Sequence, residues 1–332
     1  MQKHLHLFSF ILIVCSLFLQ CDKPPLPVRF GKVYVAGGEM INFGTDSAYN
    51  IAKLWVDGVA YDLPSDAPYP QPEEVFVDKT DVYVAGSNYG GGDSRAVLWK
   101  NMRPVYLSKD GEHGQGHSLF VANKDVYVSG SVYRNGVNNV VIWKNGVIIF
   151  ANPEIMYIWS LFVYNNDLYA ASSQQVNGIN YPAIYKNGQP QLLQIPPNAD
   201  NWEVLCVYVH KGNVYAAGTV STPLKSAAVL WVNGKYTELE GTGNDWAAGV
   251  TVSATNDVFV TGTQNGAWAT WKNGKILYTD NRFSSMGASI ATAGKDVYVA
   301  AHGNEAILWK NNIPKILPVK KGIGYAFSVF VK

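Results

Sequence analysis

Short apolar segments centred on an aromatic residue alternate with polar turns along the chain after residue 30. Two kinds of segment return as a pair. The first reads Asp-Val-Tyr-Val-Ala-Gly or a close variant, with the central aromatics Tyr34, Tyr83, Tyr127, Tyr169, Tyr215, Phe259 and Tyr298. The second reads Ala-Val-Leu-Trp-Lys-Asn-Gly, with the aromatics Trp55, Trp99, Trp143, Tyr185, Trp231, Trp271 and Trp309. Both kinds are short and rich in β-branched and aromatic residues, which predicts strands.

Each repeat contains four predicted strands. In the third repeat they cover residues 118–121, 125–128, 140–144 and 147–150. Asn145-Gly146 joins the last two strands, and such a pair favours a type I′ turn because both central residues need positive φ. The same turn is predicted at Asp57-Gly58, Asn187-Gly188, Asn233-Gly234 and Asn273-Gly274. Each repeat therefore predicts one small antiparallel sheet.

The spacing of the repeats predicts the fold. Six steps from Tyr34 to Tyr298 cover 264 residues, a mean period of 44, which is typical of a β-propeller when the repeat consists of short strands. Residues 327–331 copy the first strand of a repeat, whereas residues 32–37 form a second strand without a clear first one. We therefore predict an all-β fold, a seven-bladed β-propeller of four-stranded antiparallel blades over residues 30–332. The C-terminal strand closes the ring by pairing with the N-terminal blade; an eight-bladed ring or a β-solenoid is the alternative.

Strand direction divides the connections between two faces. The turns from first to second strand and from third to fourth strand are tight and share one face. The longer, irregular links are expected on the opposite face, over residues 37–50, 63–74, 87–95, 107–117 and 172–182. Because variable loops on a rigid scaffold often carry binding residues, this long-loop face is the candidate functional surface.

Several aromatic residues precede the innermost strands, where a central channel would open. They are Tyr157, Trp159, Trp202, Trp246 and Tyr325, with His117 beside them. Such rings can stack on sugar faces or hold a peptide. The alternative is that they cap the interfaces between blades. Small residues begin the inner strands at Ser118, Ser160, Cys206, Ser289 and Ser328, and crowding at the axis explains them without a ligand.

The N-terminus predicts export. Residues 7–19 form an uncharged apolar run after a weakly basic start, which suits a signal peptide better than a transmembrane helix. The run ends at Leu19-Gln20-Cys21, which resembles a bacterial lipobox, although a small residue normally stands where Gln20 does. We predict a lipoprotein-type signal peptide over 1–20, lipidation at Cys21, and a lipid-anchored proline-rich tether over 21–29. The mature protein would be membrane-anchored on the periplasmic side or at the cell surface.

The charge balance of the chain and its sequence motifs indicate few ligand classes and few catalytic sites. The chain has 26 basic and 25 acidic residues, and loss of Lys3 with the leader leaves them balanced, so neither nucleic acid nor anionic lipid is expected as a ligand. No metal-binding or cofactor motif is found, and His113 and His117 lie among glycines rather than on a helix. Cys206, alone in an apolar strand, is expected to be a buried structural thiol. A catalytic pair of glycosidase carboxylates stays the alternative. Its candidates are the acids of the long-loop face: Asp46, Asp66, Asp93, Asp110, Glu112, Asp200, Asp245 and Asp280.

The unit Val-Tyr-Val-Ala-Gly, followed by Leu-Trp-Lys-Asn-Gly some residues later, resembles repeats of exported bacterial β-propeller lipoproteins of uncharacterised function. The resemblance covers roughly residues 30 to 332 and implies a fold and a location, but no activity. The chain is also loosely similar to kelch repeats, through the glycine pair Gly37-Gly38 at the end of a second strand.

These observations favour a monomeric, non-catalytic binding or interaction scaffold. Its ligand, a protein partner or a glycan, is expected on the long-loop face, and the membrane is contacted through the lipid anchor alone. The alternative is an exported carbohydrate-active enzyme, a glycoside hydrolase or lyase, that uses two carboxylates of that face. A convergent acid pair inside an aromatic-walled pocket would favour the enzyme.

Overall fold

The computed structural model describes residues 32–281, 286–303 and 305–332; the leader, Cys21 and the tether lie outside these ranges. The described residues form 28 strands arranged in seven four-stranded sheets. Neighbouring strands within a sheet run antiparallel, as β1 does with both of its partners in blade 1. Within the same ranges there is no helix long and apolar enough to cross a bilayer. The predicted seven-bladed, all-β propeller is confirmed.

The strands fall into four classes by their position in the blade, in order from blade 1 to blade 7. The inner strands are β28 (Ile323–Val331), β4 (Tyr69–Asp78), β8 (His113–Ala122), β12 (Ser160–Tyr164), β16 (Asn201–His210), β20 (Asp245–Val252) and β24 (Met286–Ala293). The second strands are β1 (Val33–Ile41), β5 (Asp81–Gly90), β9 (Asp125–Arg134), β13 (Asp167–Val176), β17 (Asn213–Thr222), β21 (Val258–Gln264) and β25 (Asp296–His302). The third strands are β2 (Tyr49–Val56), β6 (Asp93–Lys100), β10 (Val137–Lys144), β14 (Ile179–Lys186), β18 (Lys225–Val232), β22 (Ala267–Lys272) and β26 (Ala306–Lys310). The outer strands are β3 (Val59–Asp62), β7 (Arg103–Tyr106), β11 (Val147–Asn152), β15 (Gln189–Leu192), β19 (Lys235–Glu238), β23 (Lys275–Asp280) and β27 (Ile313–Ile316).

The inner strands form a closed ring around the axis. Each one contacts the inner strands of both neighbouring blades, and β28 contacts β4 as well as β24. The last strand, β28, pairs antiparallel with β1, with Tyr34 opposite Phe330. The first and last parts of the chain thus share blade 1, which confirms the predicted closure and removes the open edges that an unclosed array would carry.

The repeated polar residues hold each blade together at its turns. In blade 3, Asn145 and Gly146 have φ of 52° and 81°, as a type I′ turn requires. The Asn145 side chain accepts a hydrogen bond from the Val126 amide at 2.9 Å and donates one to Asp125 at 2.8 Å. Lys144 pairs with the same aspartate at 2.8 Å. The recurrent spacing of Asp, Lys and Asn within the repeat therefore joins the second strand to the third.

The tryptophans of the third strands pack between blades. Trp55, Trp99, Trp143, Trp231, Trp271 and Trp309 are each at most 1% exposed. Four of the indole groups also bind the chain that enters the blade, as where Trp99 Nε1 donates to the Pro64 carbonyl at 2.7 Å. A buried indole requires such a partner, and the link from the preceding blade supplies it.

The links between second and third strands are shorter than we expected. Instead of irregular loops over 87–95 and 172–182, β5 and β6 are joined by Gly91-Gly92, and β13 and β14 by Asn177-Gly178. Asn177 and Gly178 both have positive φ, 52° and 81°, so they form another two-residue turn. The polar residues on either side continue the strands. We call the face that carries these turns and the blade-to-blade links the upper face, and the opposite one the lower face.

Candidate functional site

Bulges set the direction of side chains at the upper end of most inner strands. The pairing of inner and second strands shifts register at this level in six blades. In blade 2 the extra residue is Glu73, between Pro72 and Glu74. In blade 3 it is His117, together with Ser118. Bulges re-aim side chains, and here Glu73 and His117 line the mouth of the central channel. Trp159, directly before β12, takes the corresponding place in blade 4.

Small polar residues next to the bulges join neighbouring inner strands. The hydroxyl oxygens of Ser328, Ser118, Ser160 and Ser289 accept hydrogen bonds from amides of the next blade, at 2.9 to 3.2 Å. Cys206 occupies the same position, and burial raises the pKa of its thiol to about 11. The row of small residues at the axis thus has a structural explanation, because each side chain connects two blades.

Blade 2 has a glutamate where the other blades have these small residues. Glu74 accepts hydrogen bonds from the Ser118 hydroxyl at 2.5 Å and the Leu119 amide at 2.7 Å, so it also joins two blades. Its neighbour Glu73 accepts one hydrogen bond, from Gln71 Nε2 at 2.6 Å. Both carboxyl groups face the channel and are half-buried. Desolvation consequently raises the pKa of each to about 7.

Neither glutamate was among the acids that we selected from the sequence. They fall within a segment interpreted as a loop, although β4 begins at Tyr69. A signal was nonetheless present. When the repeats are aligned on the inner serines, Glu73-Glu74 occupies the place of His117-Ser118 and Trp159-Ser160. Blade 2 therefore departs from the repeat at the upper level of side chains that line the channel.

An arc of aromatic rings narrows the lower end of the channel. The arc runs from blade 1 to blade 5 through Phe330, Phe76, Phe120, Phe162 and Tyr208, with neighbouring centroids 4.6 to 4.9 Å apart. Above it, the channel encloses a cavity of about 700 Å³. The channel is thus a chamber with apolar walls below and the two glutamates above.

A second cavity of about 740 Å³ forms a groove on the upper face, over blades 4, 5 and 6. Tyr157, Trp159, Trp202 and Trp246 line it, so four of the six aromatic candidates meet there. Tyr157 and Trp159 stack on each other at 4.6 Å and remain 40% and 38% exposed. Trp202 is oriented by its Nε1, which donates to the Asn180 carbonyl at 2.6 Å. The groove offers ring faces to solvent in fixed orientations.

Polar atoms without protein partners surround these rings. Asn180 Oδ1, Thr219 Oγ1 and Asp245 Oδ1 are buried, and none of them forms a hydrogen bond within the protein. The Asp245 side chain is only 4% exposed; its other oxygen, Oδ2, accepts from the amides of Thr242 and Gly243 at 2.8 and 3.0 Å. Buried polar atoms normally have partners. Their grouping beside the groove indicates a place where water or a ligand supplies the missing hydrogen-bond partners.

The groove is acidic. Asp200, Glu203 and Asp245 line it, and none of its described lining residues is basic. Desolvation raises the pKa of Glu203, against a hydrogen bond from Trp159 that lowers it. A ligand in this groove therefore meets aromatic faces, amide and hydroxyl groups, and negative charge.

The remaining two candidates lie elsewhere. His117 lines the channel beside Trp159, with ring centroids 5.7 Å apart. Its Nε2 is buried without a partner, and burial lowers its pKa to about 4, so the ring is neutral. Tyr325 is 8% exposed and does not line the groove. Its ring lies against Gly38, where an added Cβ would overlap the Tyr325 hydroxyl. The expectation that Tyr325 shares one opening with the three tryptophans was therefore wrong, because blade 1 has a glycine under the ring.

Most acids that we selected from the sequence lie away from the groove. Asp66 pairs with Arg95 at 2.6 Å and accepts from the Tyr106 hydroxyl at 2.5 Å. Glu112 pairs with Arg134 at 2.8 Å. Of the eight acids, only Asp200 and Asp245 line the groove. Across the described ranges, no three or more His, Cys, Asp or Glu side chains are arranged to hold a metal ion.

Comparison with protein families and with curated proteins finds no match for this chain. Among solved structures, the chain is similar to the computationally designed Ika8 protein, at 13% identity and a TM-score of 0.48 over 90% of this chain and 92% of that one. It is similar to virginiamycin B lyase from Staphylococcus aureus, at 13% identity and a TM-score of 0.48 over 75% and 84%. It is also similar to TolB from Acinetobacter baumannii, at 13% identity and a TM-score of 0.49 over 89% and 82%. At this identity and overlap, these likenesses assign the chain neither a ligand nor an activity.

Proposed function

We propose that this protein is a non-catalytic binding protein whose ligand, a glycan, occupies the groove over blades 4, 5 and 6. The observation that carries the proposal is the combination of exposed ring faces with buried polar atoms that have no protein partner. Tyr157 and Trp159 present stacked rings at the edge of the groove. Asn180, Thr219 and Asp245 supply the unpartnered atoms. A sugar ring has an apolar face that stacks on aromatics and hydroxyl groups that hydrogen-bond at its rim.

The shape of the groove favours a small ligand over a protein surface. Its volume of about 740 Å³ lies within the range of roughly 300 to 1,000 Å³ that is usual for small-molecule sites. A stable protein partner would need about 800 Å² of complementary surface on each side. The groove is a concave site over three blades, which suits a small ligand better. A protein partner remains the outcome to be tested against the glycan.

The enzymatic alternative, a carbohydrate-active hydrolase or lyase, is favoured by one feature, the presence of Asp200, Glu203 and Asp245 in an aromatic-walled groove. Asp245 Oδ2 is already engaged by two backbone amides of its own loop, which suits a structural acceptor. Catalysis would be shown by release of new reducing ends or of unsaturated products from a glycan that binds. Binding without turnover supports the non-catalytic proposal.

The binding test compares aromatic variants by glycan-array screening followed by calorimetry. Trp159→Ala and Trp246→Ala should each weaken binding about tenfold or more, as expected for a ring in direct contact with a ligand. The matched control is Phe43→Ala, because Phe43 is 68% exposed and lies outside the groove. If both tryptophan variants bind as the wild type does but melt at clearly lower temperature, these rings cap the blades and the proposal is wrong.

We also propose that the protein is exported and anchored through an acylated Cys21. The supporting observation is the leader that ends at this cysteine. Replacing Cys21 by Ala should release the protein from the membrane fraction and abolish labelling by a palmitate analogue, as loss of a lipid anchor requires. A wild-type protein that is unlabelled and found in the soluble fraction would refute the anchor without affecting the groove.

A further inference from the structure

The groove and the central channel share a wall. Tyr157 and Trp159 line both cavities, so a chain-like ligand that lies across the groove reaches the channel mouth beside these two rings. The volumes of about 740 and 700 Å³ are of similar size. The channel mouth is thus the natural extension of the binding site that the proposed function assumes.

At that mouth stands a carboxyl group without a positive partner. Glu73 is bonded to Gln71 at 2.6 Å, and none of the described residues that line the channel is Lys or Arg. The imidazole of His117 lines the same chamber, and its buried Nε2 has no partner. A neutral imidazole nitrogen accepts a hydrogen bond from an ammonium group. The mouth therefore offers a cation the Glu73 carboxyl group, the neighbouring Glu74 carboxyl group and one neutral acceptor, and no positive charge that would repel it.

The groups around the channel mouth also favour a cation. The groove adds the carboxyl groups of Asp200, Glu203 and Asp245, again without a basic residue among its described lining. Exposed Trp and Tyr faces attract cations through the negative face of the ring. Burial raises the pKa of Glu73 to about 7, so a cation bound beside it would also stabilise its ionised form.

We propose that the ligand carries a positively charged group, the ammonium of an amino sugar, which binds at the channel mouth between Glu73 and the face of Trp159. This inference rests on the proposed function, since it assigns the charge of the glycan that the groove holds. A cationic peptide that presents Lys or Arg is the competing ligand class and is an outcome of the test below.

The test uses two probes with the same sugar backbone, one with free amines and one with acetylated amines. A glucosamine pentasaccharide carries free amines, whereas an N-acetylglucosamine pentasaccharide has the same backbone with the amines blocked. In calorimetry at slightly acidic pH, where the sugar amines are protonated, and at low salt, the wild type should bind the free-amine probe about tenfold or more tightly than the acetylated one, as one desolvated ion pair provides. Glu73→Gln should remove this preference for the free-amine probe. The control is Glu154→Gln, which neutralises an exposed acid outside both cavities.

The outcomes separate the two proposals. Equal binding of both probes, or a preference that survives Glu73→Gln, overturns the cation site while the groove proposal stands. Failure of the whole glycan panel overturns the proposed function together with this inference. Binding of a Lys- or Arg-containing peptide in place of either sugar, lost in Glu73→Gln, overturns the amino-sugar assignment. Circular dichroism and thermal melting of Glu73→Gln verify that any loss reflects binding, not unfolding.

Discussion

Replacing Glu73 by Gln should stabilise the protein above neutral pH. The Glu73 side chain is half-buried at the channel, and desolvation raises its pKa from 4.5 to about 7. Gln keeps the side-chain length and an acceptor for the Gln71 amide, but it carries no charge. The variant therefore removes the cost of ionising this position while preserving its packing.

The size and sign of the effect follow from proton linkage. Between pH 4.5 and 7 the folded state holds a proton on Glu73 that the unfolded chain has released, so stability falls as pH rises through this window. One pKa unit corresponds to about 1.4 kcal/mol, so the full shift corresponds to roughly 3 kcal/mol. His117, whose pKa is lowered from 6.5 to about 4, contributes with the opposite sign, because its stability contribution grows as pH rises from 4 to 6.5. That contribution is the same in both proteins and cancels in their difference.

The assay is urea denaturation of wild type and Glu73→Gln at several values between about pH 4.5 and pH 8. The stability difference between the two proteins should grow in favour of the variant by roughly 3 kcal/mol across this range. Glu154→Gln, an exposed acid, should give a flat difference. If the Glu73→Gln difference is also flat, water or a cation solvates the carboxyl group in the folded protein, and burial does not raise its pKa.

Three further substitutions test the packing and the closure of the ring. Trp271→Ala should lower the free energy of unfolding by about 3 to 5 kcal/mol, because a fully buried indole between two blades is lost; a cost below about 1 kcal/mol in urea would contradict tight packing. Glu39→Gln should cost about 3 kcal/mol near neutral pH, because it removes the buried partner of Lys53, 3.0 Å away. Burial opposes ionisation of Glu39, but backbone amides and Lys53 hold its pKa at about 2, below the ordinary 4.5. The stability that the Glu39 carboxylate contributes should therefore disappear as pH falls from 4.5 towards 2. A cost of Glu39→Gln that does not change with pH would refute this role of the ionised carboxylate. Gly38→Ala should lower the melting temperature, because the new methyl group overlaps the Tyr325 hydroxyl; an unchanged melting curve would mean that this ring moves aside freely.

The repeat pattern was sufficient to predict the architecture. Asn-Gly pairs prescribe their own backbone geometry, and Asn145-Gly146 has the positive φ values that the pair indicated. The interblade position of the tryptophans follows from the same local rule, since a large ring at one place in every repeat has to be buried against the next blade. The sequence was less informative about strand ends. Asn177-Gly178 is a turn between long strands, but its polar neighbours resembled a loop, because strand ends that extend into solvent carry polar residues.

The functional surface was decided by tertiary structure. The groove brings together Trp159, Trp202 and Trp246 from three blades. From the sequence spacing, these residues were only equivalent positions in different repeats. Tyr325 occupies such a position as well, yet the glycine beside it allows the ring to be buried. Glu73 acquired its significance from a bulge that directs it into the channel and from the absence of a basic residue among the described lining. A local sequence pattern specifies turns and strand pairs, because these depend on neighbouring residues. Burial, charge balance and the meeting of side chains depend on blades far apart in the chain, and only closure of the ring brings those together.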